Sequence, residues 1–250
     1  MSRFLSRHKS GAAESVTWLH YVIVSVSLIA TVVAWRMSLS GVEERTRLQF
    51  DAQANEVVRA FEEQLLRYED ALHAGVGFVA GSDNILPDEW REFTQRIKWK
   101  ERHPALSSMG VLYKVLPQDV ASFELEQRKL RPEFGIRTSL ESESESAGDF
   151  LLPLTHVVPR ALESDALGLD AVRESRRRNA IERAIDSAKV QITGAIQLSR
   201  FQQNGLLMFA PVYSPGAIDS VEQRRARFRG AISASIFTQN LAAGLSDSEQ

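Results

Sequence analysis

From Val16 to Trp35 the chain reads VTWLHYVIVSVSLIATVVAW, a run without a single formal charge. At ~1.5 Å per residue, roughly 20 helical residues cross the ~30 Å apolar core of a bilayer, so the run predicts a transmembrane helix over 15–36. Its polar interruptions are Thr17, His20, Ser25, Ser27 and Thr31, and a hydroxyl in a helix can bond back to the preceding turn. Trp18, Tyr21 and Trp35 stand where interfacial aromatics would. A cleaved signal peptide would share the basic start, Arg3, Arg7 and Lys9, and could be cut after Val32-Val33-Ala34. The run exceeds the usual ~7–15-residue signal core, which favours a retained anchor. Charge does not choose its orientation, because Arg36, Arg45 and Arg47 answer the N-terminal cations. The long C-terminal part is the better candidate for translocation. Residues 1–14 are therefore expected in the cytoplasm, and the rest outside a single-pass inner-membrane helix.

Composition narrows the function. Thirty Lys and Arg stand against 32 Asp and Glu, so no general basic face invites nucleic acid. The chain has no cysteine, which removes disulfides, thiolate nucleophiles and Cys-type zinc sites.

Beyond the apolar run a long stalk helix is expected over 37–74. Phe50, Ala54, Val57, Phe61, Leu65, Tyr68 and Leu72 recur at alternating steps of three and four, with charged residues on the other faces. The stripe fits a homodimer seam or a face packed on the chain's own domain, and the pattern leaves both open. Pro87-Asp88-Glu89-Trp90 opens a further helix with Pro and acids in its first turn. Another starts at Pro117.

Strand signals dominate thereafter. Ser107–Val115, Phe134–Thr138 and part of Asp149–Pro159 read as extended segments, around an acidic loop over 139–148. Val190, Ile192, Gly194, Ile196 and Leu198 alternate, as do Phe228, Gly230, Ile232, Ala234 and Ile236. Arg173–Ala188 reads as a helix with Ala180, Ile181, Ala184 and Ile185 inward, and Asp170 as an acceptor at its start. Helices grouped before and between terminal strands imply an α+β domain on an antiparallel sheet, over 75–238.

Several stretches together resemble the CHASE family. They are Phe78-Val-Ala-Gly-Ser82, Pro87-Asp-Glu-Trp90 with Phe93, Pro104 through Gly110-Val-Leu-Tyr113, and Phe123-Glu124. Pro159 through Ala166-Leu-Gly-Leu-Asp170, Ala180 through Ala188, Ile192-Thr193 and Pro211-Val-Tyr213 continue the series. One position departs: many members carry Asn four residues before the Gly of the Leu-Gly-Leu-Asp element, where Ser164 stands here. The resemblance implies an extracytoplasmic sensor with PAS-like architecture, helices and loops covering one face of the sheet around a small ligand cavity. It implies a small-molecule ligand, adenine-type cytokinins in plant members, and an effector such as a histidine kinase or a diguanylate cyclase or phosphodiesterase. Residues 239–250 would lead toward a second membrane span.

The residues themselves suggest no enzyme. His8, His20, His73, His103 and His156 are scattered, without a metal-ligand spacing, phosphate loop or nucleophile elbow, so no catalytic residue, metal or cofactor is expected. The runs Arg176-Arg177-Arg178 and Arg224-Arg225-Ala226-Arg227 are interleaved with acids and read as solvated faces. Ligand-contact candidates come from the strands: Thr193 and Gln197, sharing one face by parity, with Phe209, Tyr213 and Tyr113 nearby. The alternative reading is a membrane-tethered oligomerisation or scaffold protein without a ligand, its stalk forming the homodimer.

Overall fold

The structure, a computed structural model, describes residues 11–82, 84–137, 149–198 and 203–237. The chain divides into two units, Met1–Arg59 and Ala60–Gln250. Helix α1 runs over Gly11–Ala80. In the first unit its described side chains from Trp18 to Arg36 are exposed, Trp18 at 68% and Val24 at 64%, so they belong to no core of this chain.

The transmembrane expectation is corrected at this point. Among the described residues no helix is long and apolar enough to cross a membrane. The span over 15–36 and the single-pass placement built on it are set aside.

The second unit begins with the last turns of α1. Tyr68 and Leu72 are 1% and 0% exposed, and with Ala71, Gly75 and Val79 they press on the sheet. This part of the expected stripe is therefore consumed within the chain; the side chains of Phe50, Ala54, Val57 and Phe61 lie outside those described. Each fully buried large apolar side chain contributes about 1.5–3 kcal/mol. A Cβ on Gly75 would come within 3.2 Å of Ile232, so a residue without one lets α1 lie close to the sheet.

Pro87 opens α2, Pro87–Arg96, where the Glu89 carboxylate accepts the Leu86 N–H at 2.8 Å. A short helix α3, Trp99–Arg102, follows Lys98, which takes the left-handed conformation at φ 50°. The remaining order is β1 Leu106–Tyr113, α4 Val120–Leu130, β2 Leu154–Val158, α5 Glu163–Ala166, α6 Ser175–Ser187, β3 Gln191–Ile192, β4 Ile196–Leu198, β5 Gln203–Tyr213, α7 Val221–Arg227 and β6 Phe228–Phe237. All pairings in the sheet are antiparallel, in the order β2-β1-β6-β5-β3, with β4 also on β5. The α+β, antiparallel part of the expectation stands. At the centre β6 passes β1 so closely that a Cβ on Gly230 would lie 2.2 Å from the Leu112 carbonyl oxygen.

Both faces of the sheet are covered, because both are apolar. Met109, Val111, Met208, Ala210, Val212, Ile232, Ala234 and Ile236 meet α1, α2 and Trp99 on one side. Leu112, Phe209, Phe228 and Ala231 meet Ala180, Ile181, Ala184 and Ile185 of α6 on the other. The four inward residues expected for that helix are those it buries. Asp170 accepts N–H groups from Leu152 at 2.8 Å and Val172 at 3.3 Å; it caps the 3-10 turn Ala171–Arg173, while Glu174 caps α6.

Two expected strands change. Among the described residues Phe134–Arg137 makes only an isolated bridge, Arg137 to Leu169. The alternating segment 190–198 is broken into β3 and β4: Ile192 pairs with Met208 but Ile196 with Gly205, so four steps on one strand answer three on the other. Such a bulge reverses the facing of everything beyond it.

Candidate functional site

The bulge sorts the five strand residues proposed as ligand contacts. Thr193, Phe209 and Tyr213 fall on the α6 side. Gln197, paired with Asn204, falls on the other side and is exposed, and Tyr113 packs toward α1 and α2. The parity argument that joined Thr193 to Gln197 holds only for an unbroken strand.

Those on the α6 side already have partners. Thr193, 4% exposed, accepts the Leu207 N–H on its hydroxyl at 3.0 Å and donates its own N–H to the Leu207 carbonyl at 2.9 Å. Phe209 is 1% exposed in the core. The Tyr213 hydroxyl donates to the Ile185 carbonyl at 2.7 Å, and burial pushes its pKa up to about 12. Burial likewise raises the phenol of Tyr113.

An open space lies elsewhere, on the α2 side. A cleft of about 510 Å³ is lined by Arg91, Thr94, Gln95 and Lys98, by Trp99, Lys100 and Glu101 of α3, and by Val158, Pro159 and Arg160 at the end of β2. The volume is within the ~300–1,000 Å³ usual for small-molecule sites. Arg91, Thr94 and Gln95 of α2 recur at i, i+3 and i+4, one helical face, and Lys98 follows just past the helix end. Trp90, Phe93 and Ile97 make the adjoining apolar face. A polar stripe beside an apolar one is the signal that would have found the cleft's first wall; the second, from β2, is some 60 residues away in sequence.

Thr94, Trp99 and Val158 are buried and form the floor. The Thr94 hydroxyl donates back to the Trp90 and Arg91 carbonyls at 3.0 and 2.9 Å. Arg91 pairs with Asp88, and its Nε is buried with no partner among the described residues. Lys98 is 3.6 Å from Glu101. No hydrogen bond or ion pair holds the side chain of Lys100 or Arg160 among the described residues.

The cleft is tied to α1 through rings. On the adjoining face of α2, Phe93 stacks on Phe78 with centroids 4.4 Å apart, and Trp90 lies 6.2 Å from Phe78. His103, just past α3, meets Tyr68 edge-on at 5.7 Å. Burial, then Arg102, holds the His103 imidazole below its ordinary range. Beneath the start of α2, His156 of β2 bonds the Ile85 carbonyl at 2.9 Å, and burial, then Arg131, lowers its pKa to about 4. A neutral imidazole therefore donates from Nε2 and accepts the Thr155 hydroxyl at Nδ1, 2.9 Å away.

By contrast, the arginines of the two basic runs are engaged. Arg225 pairs with both oxygens of Asp186 at 2.7 Å, Arg178 donates to the Val172 carbonyl at 2.8 Å, and Arg224 to that of Ile218 at 2.9 Å. No group of three His, Asp or Glu residues is placed to hold a metal among the described residues.

The domain is an antiparallel sheet with helices on both faces and a cleft at one margin. The chain belongs to the CHASE domain family, whose model matches residues 83–250. CHASE is an extracytoplasmic sensor domain of receptors; it is not catalytic, and its members bind small molecules in general. No curated protein matches the chain.

Proposed function

We propose that this chain is the sensing module of a receptor, that it takes a small molecule into the cleft between α2, α3 and the end of β2, and that occupancy is passed through α1 to an effector, a histidine kinase or a diguanylate cyclase or phosphodiesterase. The observation that carries the reading is that one helix, α2, is both a wall of the cleft and the partner of α1. Arg91, Thr94 and Gln95 face the open space, while Trp90 and Phe93 pack on Phe78. A ligand shifts an equilibrium only by its differential affinity for the two states, and a cleft wall that is also a helix contact is where such a difference arises. Packed rings transmit small displacements because close-packed interiors repack in steps.

The test uses the exposed rim residue Gln95. Gln95→Trp places an indole in the cleft without touching the Phe78–Phe93 stack. Thermal shifts of the full chain are measured across a metabolite library. A compound that stabilises the wild type and not Gln95→Trp supports the cleft as the ligand site; compounds stabilising both alike, or none stabilising the wild type, refute it.

A further inference from the structure

We infer that the cleft selects a small organic oxyanion, a phosphate or carboxylate carried on an apolar body; the inference rests on the cleft being the ligand site. The charge on its walls is uneven. Of its four cations Arg91 pairs with Asp88 and Lys98 lies 3.6 Å from Glu101, which leaves the charges of Lys100 and Arg160 unbalanced. Some exposed cations elsewhere on the domain are paired, Arg96 with Glu92 and Arg225 with Asp186 at 2.7 Å, and Lys129 with Glu126. In the cleft Lys100 and Arg160 converge from two walls with no partner among the described residues, and the Arg91 Nε–H is buried without an acceptor. A buried donor left unbonded costs free energy, and an acceptor entering the cleft recovers it. An ionised acceptor recovers more, because charge-assisted bonds are about twice as strong as neutral ones.

The floor supplies the second requirement. A bare inorganic anion would leave most of the roughly 510 Å³ unfilled above a floor of Trp99, Val158 and Pro159. A ligand with a flat or compact apolar body covers them, and its oxyanion reaches the basic rim. The cations come from two walls, Arg91, Lys98 and Lys100 from the α2–α3 segment and Arg160 from the end of β2. An anion between them draws the walls together, which is the displacement α2 would deliver to Phe78.

The experiment titrates the full chain at fixed ionic strength with phenyl phosphate, inorganic phosphate and benzamidine, following melting temperature and tryptophan fluorescence. Phenyl phosphate is expected to bind most tightly, inorganic phosphate more weakly, and benzamidine not at all. Lys100→Gln with Arg160→Gln should weaken phenyl phosphate by about tenfold or more, whereas the same charge change at Lys129 and Lys189 should leave it unaltered. Glu101→Gln, which removes the one acid, should strengthen it. Equal binding in all variants, or binding of benzamidine alone, overturns the inference. Sedimentation with phosphatidylserine and phosphatidylcholine vesicles separates the sources of the anion. Binding to the former alone, abolished in the Lys100/Arg160 variant, supports the same oxyanion chemistry on a lipid headgroup; binding to neither vesicle, together with no response to phenyl phosphate, overturns it. A neutral or cationic library compound whose effect Gln95→Trp abolishes would sink the anion class while leaving the cleft as the sensing site.

Discussion

The two faces of the sheet are covered in different ways. Against α6 the contact is made by Ala180, Ile181, Ala184 and Ile185, small or branched side chains set into Leu112, Phe209 and Phe228. Against α1 and α2 it is made by wide rings, Tyr68, Phe78, Trp90, Phe93 and Trp99, and a cleft opens at the margin. Short branched side chains interdigitate with few alternatives, whereas aromatic rings at 4.4–6.2 Å separations have more than one favoured arrangement, stacked or tilted, between which a layer can repack. The α6 face is thus suited to holding the sheet, and the α2 face to registering an occupant.

The sharpest way to break this contrast is to empty the ring layer. Trp90→Ala removes a side chain 1% exposed and should cost about 3–5 kcal/mol in chemical denaturation, with loss of any ligand response. Trp90→Phe should cost far less, since the indole N–H it deletes is buried without a partner. If Trp90→Ala is as mild as Trp90→Phe, the ring layer does not carry the fold on that side.

The faces should also differ in their response to pH. On the α2 face His156 stays neutral down to about 4 against an ordinary 6.5, so the unfolded chain takes up its proton first. Its contribution is complete above about pH 6.5 and is lost as pH falls toward about 4, a total near 3 kcal/mol. On the α6 face Tyr213 is held protonated up to about 12 against an ordinary 10.0, so stability is lost there as pH rises from 10 toward 12. Denaturation midpoints across pH should show the acid limb flattened in His156→Gln and unchanged in Tyr213→Phe.

Smaller effects refine the contrast. Tyr213→Phe should cost about 1 kcal/mol near neutral pH through the lost bond to the Ile185 carbonyl. Ile181→Val, a one-methylene loss on the α6 face, should cost about 0.5–1.5 kcal/mol and leave ligand affinity untouched. An affinity change in Ile181→Val would show that the two faces are coupled through the sheet.

Sequence alone determined the elements whose signal is local. The period of Ala180, Ile181, Ala184 and Ile185 defined the buried face of α6, Pro87 with its acids marked the start of α2, and alternation located β6. Local periodicity suffices there because each residue's facing follows from its own neighbours' geometry. The tertiary structure decided what depends on pairing across distance. One extra residue between Thr193 and Ile196 turned Gln197 to the opposite face, which no count along a single strand reveals, because the bulge exists only relative to β5. The division of the stripe was decided in the same way, with Tyr68 and Leu72 assigned to this chain's own sheet. So was the cleft: Arg91 and Lys98 gain meaning as a basic wall only once β2 sets Arg160 opposite them, a juxtaposition produced by the fold of the intervening chain rather than by any local pattern.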